Sequence, residues 1–107
     1  MRIEIVPLPT WRGGLLAAEY DARRDAIRVN ARAVDIVRDA LGDEEARTFV
    51  RCAVAHEWYH RAACHPERSA GRARGRRTTE EDAHAFAHRQ TGADPARYAA
   101  LLRAAPA

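Results

Sequence analysis

The chain has 107 residues and a formal net charge of +3, enough for one domain with one core and too little for a separate regulatory domain. No apolar run approaches the roughly 20 residues that span a bilayer, and no signal-peptide pattern opens the sequence, so a cytoplasmic protein without a membrane span is expected. Two cysteines, Cys52 and Cys64, are too few for a disulfide framework, and all 18 basic residues are arginine.

Arg2 to Val6 alternates polar and branched apolar residues and is expected as a strand, ended by Pro7 and Pro9. Gly13-Gly14 opens a second strand, Leu15 to Tyr20. Asp21 to Asp25 is a polar turn and Ala26 to Val29 returns, so 15–29 reads as an antiparallel hairpin. Asn30 is a suitable N-cap for a helix to about Leu41, with Val34, Val37 and Leu41 at helical spacing and Gly42 at its end. Asp43 can cap the next helix, whose first turn gains from Glu44 and Glu45. It runs to about Cys64, and His65-Pro66 ends it.

Residues 66–77 form a basic loop, with Arg68, Arg72, Arg74, Arg76 and Arg77 against Glu67 alone. Thr78 or Thr79 caps a third helix from Glu80 to about Gln90, which Gly92 terminates. Asp94-Pro95 starts a fourth, to about Arg103. The expected class is α+β in a single compact domain, 1–107: a short N-terminal antiparallel sheet followed by about four helices.

The chemistry concentrates in His56-Glu57-Trp58-Tyr59-His60. On a helix, His56 and His60 share a face one turn apart, where both imidazoles reach one metal ion. Glu57 lies beside them, able to take a proton from water. This is the H-E-x-x-H pattern of zinc peptidases. A catalytic zinc takes three protein ligands and keeps one position for water, so one more ligand is needed. Glu80 opens the next helix and shares a face with Ala83, His84 and Ala87. The alanines let that helix approach the motif helix closely. Glu81 and His84 are the alternatives for the third ligand.

The stretch Val50-Arg51-Cys52-Ala53-Val54-Ala55-His56-Glu57-Trp58-Tyr59-His60, followed by Glu80-Glu81-Asp82-Ala83-His84-Ala85-Phe86-Ala87, resembles the ImmA/IrrE family of zinc peptidases. Members of that family carry an apolar stretch into H-E-x-x-H, then E-x-x-A-N-x-F-A on the following helix. More broadly the chain is similar to minimal single-domain gluzincins. The resemblance covers residues 15–90. It implies a zincin-like fold, one zinc ion per chain on His56, His60 and Glu80, and Glu57 as general base. It also implies a peptide or protein substrate, cleaved by an enzyme of narrow specificity or one held latent. The chain departs from the family at Tyr59, where a small residue is usual, at His84, where asparagine is, and at His88-Arg89-Gln90, where the helix is leucine-rich. A carbonyl oxygen under attack needs a donor besides zinc, and His84, His88, Tyr20 and Tyr98 are the choices. Strand 15–20 or 26–29 offers an edge for an extended peptide.

Other classes draw on the same residues. His56, His60, His84 and His88 can form a four-histidine structural site. Glu57-x-x-His60 and Glu81-x-x-His84 repeat the E-x-x-H spacing of di-iron helical proteins, with Asp35, Asp39, Glu44 and Glu45 as the remaining carboxylates. A non-catalytic, DNA-associated regulatory domain would keep the motif as structure. Cys52 reads as a small buried hydrophobe, and Trp58 and Tyr59 read as packing residues; Cys64, in the same i, i+4 row, is a thiol ligand only in principle. The arginine loop has no interleaved aromatics to stack on bases. Nucleic-acid backbone contact, a solvated loop and a cover over the cleft are its three readings.

Overall fold

A computed structural model describes residues 1–11, 14–64 and 80–105, with Trp11, Gly14, Ala63 and Cys64 described by backbone alone. The order is β1 (Arg2–Val6), β2 (Thr10–Trp11), β3 (Gly14–Leu15), β4 (Ala18–Asp21), β5 (Ala26–Asn30), α1 (Ala31–Leu41), α2 (Asp43–Cys64), α3 (Glu80–Thr91) and α4 (Pro95–Ala104). The class is α+β: an N-terminal three-stranded sheet, then four helices. The expected basic loop at 66–77, the caps at Thr78 or Thr79 and the end at His65-Pro66 lie outside the described residues. No described helix is long and apolar enough to cross a membrane.

The sheet runs β1-β5-β4, with β4 antiparallel to β5 and β1 parallel to it. This corrects the all-antiparallel expectation. β5 is the central strand, with Ile27 and Val29 fully buried against the helices. It therefore has no free edge to offer, contrary to the expectation for 26–29. On the other face Arg28 stands in register with Glu4 and Glu19 of its neighbours and meets their carboxylates at 3.7 and 3.2 Å. A cation between two anions in three adjacent strands favours this strand order. The expected strand 15–20 is divided: Gly14–Leu15 pairs back on Thr10–Trp11, and a fresh strand begins at Ala18.

Asn30 causes that division. It is fully buried and occupies the junction of sheet and first helix. Its Nδ2 donates to the Leu16 carbonyl (2.7 Å) and its backbone N–H to the Ala17 carbonyl (2.9 Å). Its Oδ1 accepts from the backbone N–H groups of Arg32 (3.1 Å) and Leu8 (3.3 Å). One side chain thus caps α1 and fixes two loops. Gly42, at φ 97°, closes α1 by donating to the Arg38 carbonyl (2.8 Å), a conformation that a Cβ would strain.

The core lies between sheet and helices, around Ile27, Val29, Val37, Phe49, Tyr98 and Leu102. Phe49 and Tyr98 meet edge to face at 5.2 Å. Cys52 is buried among them, and burial pushes its thiol pKa up, as suits an inert small hydrophobe. Asp94 caps α4 through the Ala96 N–H (3.0 Å), and Arg97 ties α4 to Glu45 in the first turn of α2 (2.9 Å).

Replacing Asn30 by alanine strands the Leu8 N–H and the Leu16 carbonyl and removes the cap, so a loss of about 2–3 kcal/mol in urea unfolding is expected. Asn30→Asp keeps the acceptor but turns an anion toward the Leu16 carbonyl. It too is expected to be destabilising at neutral pH, and wild-type stability in that variant would contradict the role given to Nδ2.

Candidate metal centre

The unbroken helix α2, 22 residues long, sets His56 and His60 one turn apart on the face turned to α3. Their Nε2 atoms lie 3.1 Å from each other. Glu80, the first residue of α3, brings Oε1 to 2.8 Å from His60 Nε2 and Oε2 to 3.1 Å from His56 Nε2. The carboxylate bridges the two imidazoles. The three residues the sequence nominates as ligands are therefore in mutual contact, although Glu80 is 20 positions beyond His60.

Close helix packing produces this convergence. Ala83 and Ala87 are fully buried on the inner face of α3. Further along, Phe86 stacks on Trp58 (5.6 Å, 16°) and touches Tyr59 (5.3 Å), so both motif aromatics serve as packing, as expected. On the other side Arg61, the residue after the motif, donates from Nε to Asp25 Oδ1 (2.8 Å) and from Nη2 to Oδ2 (3.3 Å). Asp25 sits in the β4–β5 turn at φ 49° and also accepts from the Tyr20 hydroxyl (2.8 Å). Sequence inspection gives no hint of this clamp.

Proton counting makes the cluster informative. Two Nε2 atoms carry at most two protons between them, whereas three contacts (His56–His60, His56–Glu80 and His60–Glu80) need three. If both rings protonate Nε2 to satisfy the carboxylate, their N–H groups confront each other at 3.1 Å. A single cation among the three groups satisfies every contact at once. The protonation states suit one: burial and the neighbouring His60 and His84 rings push the His56 pKa down, against the pull of Glu80. Burial works against the Glu80 carboxylate, but the His56 and His60 rings outweigh it, and its pKa is lowered. A neutral imidazole and an ionised carboxylate are the ligand forms of both groups.

Glu57 stands next to this cluster, with Oε2 3.8 Å from His56 Nε2. Its side chain is 13% exposed, against 70% for Glu80. Burial, and then the charges of Glu80 and Glu19, push its pKa up to about 8, with a Tyr20 backbone hydrogen bond opposing. Without a cation nearby, Glu57 holds a proton at neutral pH. Positive charge at the cluster favours the anion.

His84 lies one turn after Glu80 and sets its ring edge-on to His56 at 4.8 Å. His56, Glu80 and His84 form one group whose ligand atoms fall within 4.8 Å of one another, and His56, Glu57 and His60 form another. Glu81 joins neither, nor do Asp35, Asp39, Glu44 and Glu45, so among the described residues no second set of carboxylates assembles for a di-metal site. His88 faces away, its Nδ1 against the Ala93 carbonyl at 2.7 Å. Of the four donors considered for a carbonyl oxygen, His84 alone is in the cluster. The Tyr20 hydroxyl is committed to Asp25, and Tyr98 is buried with its hydroxyl toward Glu45 (3.5 Å). The Cys64 side chain lies outside the described residues.

A cleft of about 210 Å³ opens beside the cluster, between the segment Leu15 to Ala18 and helices α2 and α4. Phe49, Tyr98, Leu15 and Leu102 give it an apolar wall, and His56, Glu57, Glu80 and His84 line its polar end. Its walls come from distant segments, so no local pattern announced it. No family, curated protein or solved structure matches this chain.

The cluster is expected to bind one zinc ion per chain, measured by titration calorimetry with metal analysis. His56→Ala should abolish binding, Glu80→Gln should weaken it at least about tenfold, and Glu81→Gln should leave it unchanged. Unchanged affinity in Glu80→Gln, with loss in His84→Ala, would move the third ligand to His84.

Proposed function

We propose that this protein is a zinc-dependent metallopeptidase of the gluzincin type, with His56, His60 and Glu80 holding one zinc ion and Glu57 as general base. The observation that carries the reading is the meeting of Glu80 with both histidines of H-E-x-x-H, while the carboxylate of Glu57 waits beside them in a half-enclosed cleft. The resemblance to ImmA/IrrE peptidases points the same way. A zincin-like arrangement of sheet, motif helix and ligand helix, and a cytoplasmic workplace, belong to the same proposal.

Zinc, when bound, supplies Lewis acidity toward a carbonyl oxygen and lowers the pKa of water toward ~7. The chain's own residues do the rest. Glu57 accepts the proton of the attacking water and returns it to the leaving amine. Burial raises its pKa and a bound cation would lower it, and these opposed influences suit a group that must both take and return a proton. The outer edge of β4 pairs with no described strand, and with Leu15 to Ala18 it borders the cleft. An extended peptide laid along that edge gains main-chain hydrogen bonds and presents a side chain to the apolar wall. His84, the one of the four candidate donors in the cluster, is the proposed donor to the carbonyl oxygen.

His84 also favours a second reading. If it joins His56, His60 and Glu80 on the ion, four protein ligands close the site, as in structural zinc centres, and the domain becomes a metal-stabilised interaction module.

The discriminating experiment is hydrolysis of a quenched-fluorescence peptide library by the zinc-loaded protein. Glu57→Gln is expected to keep its zinc and lose about 10²–10⁴-fold in rate. Hydrolysis that survives Glu57→Gln would remove the proposed mechanism. Absence of hydrolysis together with loss of zinc in His84→Ala would establish the closed structural site.

A further inference from the structure

The edge of the sheet far from the metal cluster carries an exposed apolar surface of its own. β1 borders only β5, and among the described residues no strand pairs with its outer edge. The Arg2 N–H donates to the Asp25 carbonyl (3.1 Å), so the even positions of β1 address β5. By strand alternation, the N–H and C=O groups of Ile3 and Ile5 point outward, away from β5. Ile3 and Ile5 stand in register with Ile27 and Val29, so their side chains lie on the helix-facing side of the sheet. Each is nevertheless 53% exposed, and Met1 51%. The helix layer ends short of them and leaves a groove of about 660 Å³ lined by Ile3, Val50, Val54, Ala55, Trp58 and Phe86.

We propose that β1 is where two copies of this chain associate, pairing edge to edge and antiparallel about a twofold axis at Ile3. Residues directly opposite in an antiparallel pair share a face. The axis at Ile3 sets Ile3 against Ile3 and Ile5 against Met1 on the helix side. On the outer side it sets Arg2 against Glu4, twice by symmetry. Arg2 is 72% exposed there, and it meets the Glu4 of its own chain, 24% exposed and shared with Arg28, at 3.1 Å. Moving the axis to Glu4 would oppose Glu4 to Glu4 and leave Arg2 against Val6. The order Arg2-Ile3-Glu4 is therefore complementary to its own reversal in one register.

The outward N–H and C=O of Ile3 fall on the axis, where the two strands exchange both hydrogen bonds, and the Arg2–Glu4 pairs take the neighbouring positions, where side chains come closer. The added strand lies ~4.8 Å beyond β1. Its apolar side chains then cover this copy's groove, and the reverse. A six-stranded sheet results, with the helices of both copies on one side and both metal clusters and β4 edges free. The association is independent of the proposed chemistry.

Sedimentation velocity over a concentration series is the test. The full chain is expected to form a dimer. Ile3→Pro should be monomeric with an unchanged circular dichroism spectrum, because proline removes an N–H that β5 does not use and edge strands tolerate it. Arg2→Glu and Glu4→Arg should each weaken self-association roughly tenfold or more, since two attractive pairs become two repulsive ones. Mixing these two variants should restore a heterodimer. Ile3→Cys, with Cys64 replaced by serine, should cross-link to itself on mild oxidation, whereas Ile5→Cys should not, being ~13 Å from its mate in this register. A monomer at every concentration, a dimer indifferent to a folded Ile3→Pro, or charge variants that fail to recover on mixing would each overturn the proposal. A monomer that gains a strand only from an added apolar peptide would assign the edge to a different partner.

Discussion

Three ligand-forming groups held within 3.1 Å of one another are the constraint on which the rest of this structure turns. The protons on two Nε2 atoms cannot serve all three contacts, and a cation among the groups would serve them all. Helices pressed closely together bring the groups to these distances. The fold supplies the pressing. Ala83 and Ala87 put almost no side chain between α3 and α2, and the Trp58–Phe86 stack keeps the two helices aligned on the side away from the cluster. A larger residue at 83 or 87 would push Glu80 away from both histidines.

The sheet contributes from the opposite side. Arg61 follows His60 directly, and its two hydrogen bonds to Asp25 fix the end of the motif against the β4–β5 turn. Asn30 fixes the other end of β5 and gathers the loops carrying Leu8 and Leu16. The segment Leu15 to Ala18 is thereby held as one wall of the cleft, with Glu57 facing it. Burial then sets the chemistry, since the enclosure that creates an apolar cleft also makes Glu57 a carboxylate that needs a nearby cation to ionise at neutral pH.

Much of this was legible in the chain because its signals are local. Asn30, Gly42, Asp94-Pro95 and Gly92 mark helix ends through capping and backbone preferences that act within a few residues, and the helices begin and end beside them. Glu80 was legible through helix phase: the alanines three and seven positions on had to face inward, and they carried Glu80 with them. What could not be read is non-local. Nothing in Arg2–Val6 distinguishes a parallel from an antiparallel partner, so the mixed sheet and the central place of β5 emerge only when the Glu4, Arg28 and Glu19 charges are seen side by side. Asp25 and Arg61 are 36 residues apart and look like ordinary surface charges in the sequence. The separation of His84 from His88 turns on a local accident, the capture of His88 by the Ala93 carbonyl.

The most direct test of the central claim is the X-ray absorption spectrum of the zinc-loaded protein. Ligation by His56, His60 and Glu80 predicts a shell of nitrogen and oxygen neighbours alone, with the multiple-scattering signature of two imidazoles and not three. A sulfur neighbour at about 2.3 Å, or the scattering of three imidazoles, would contradict it.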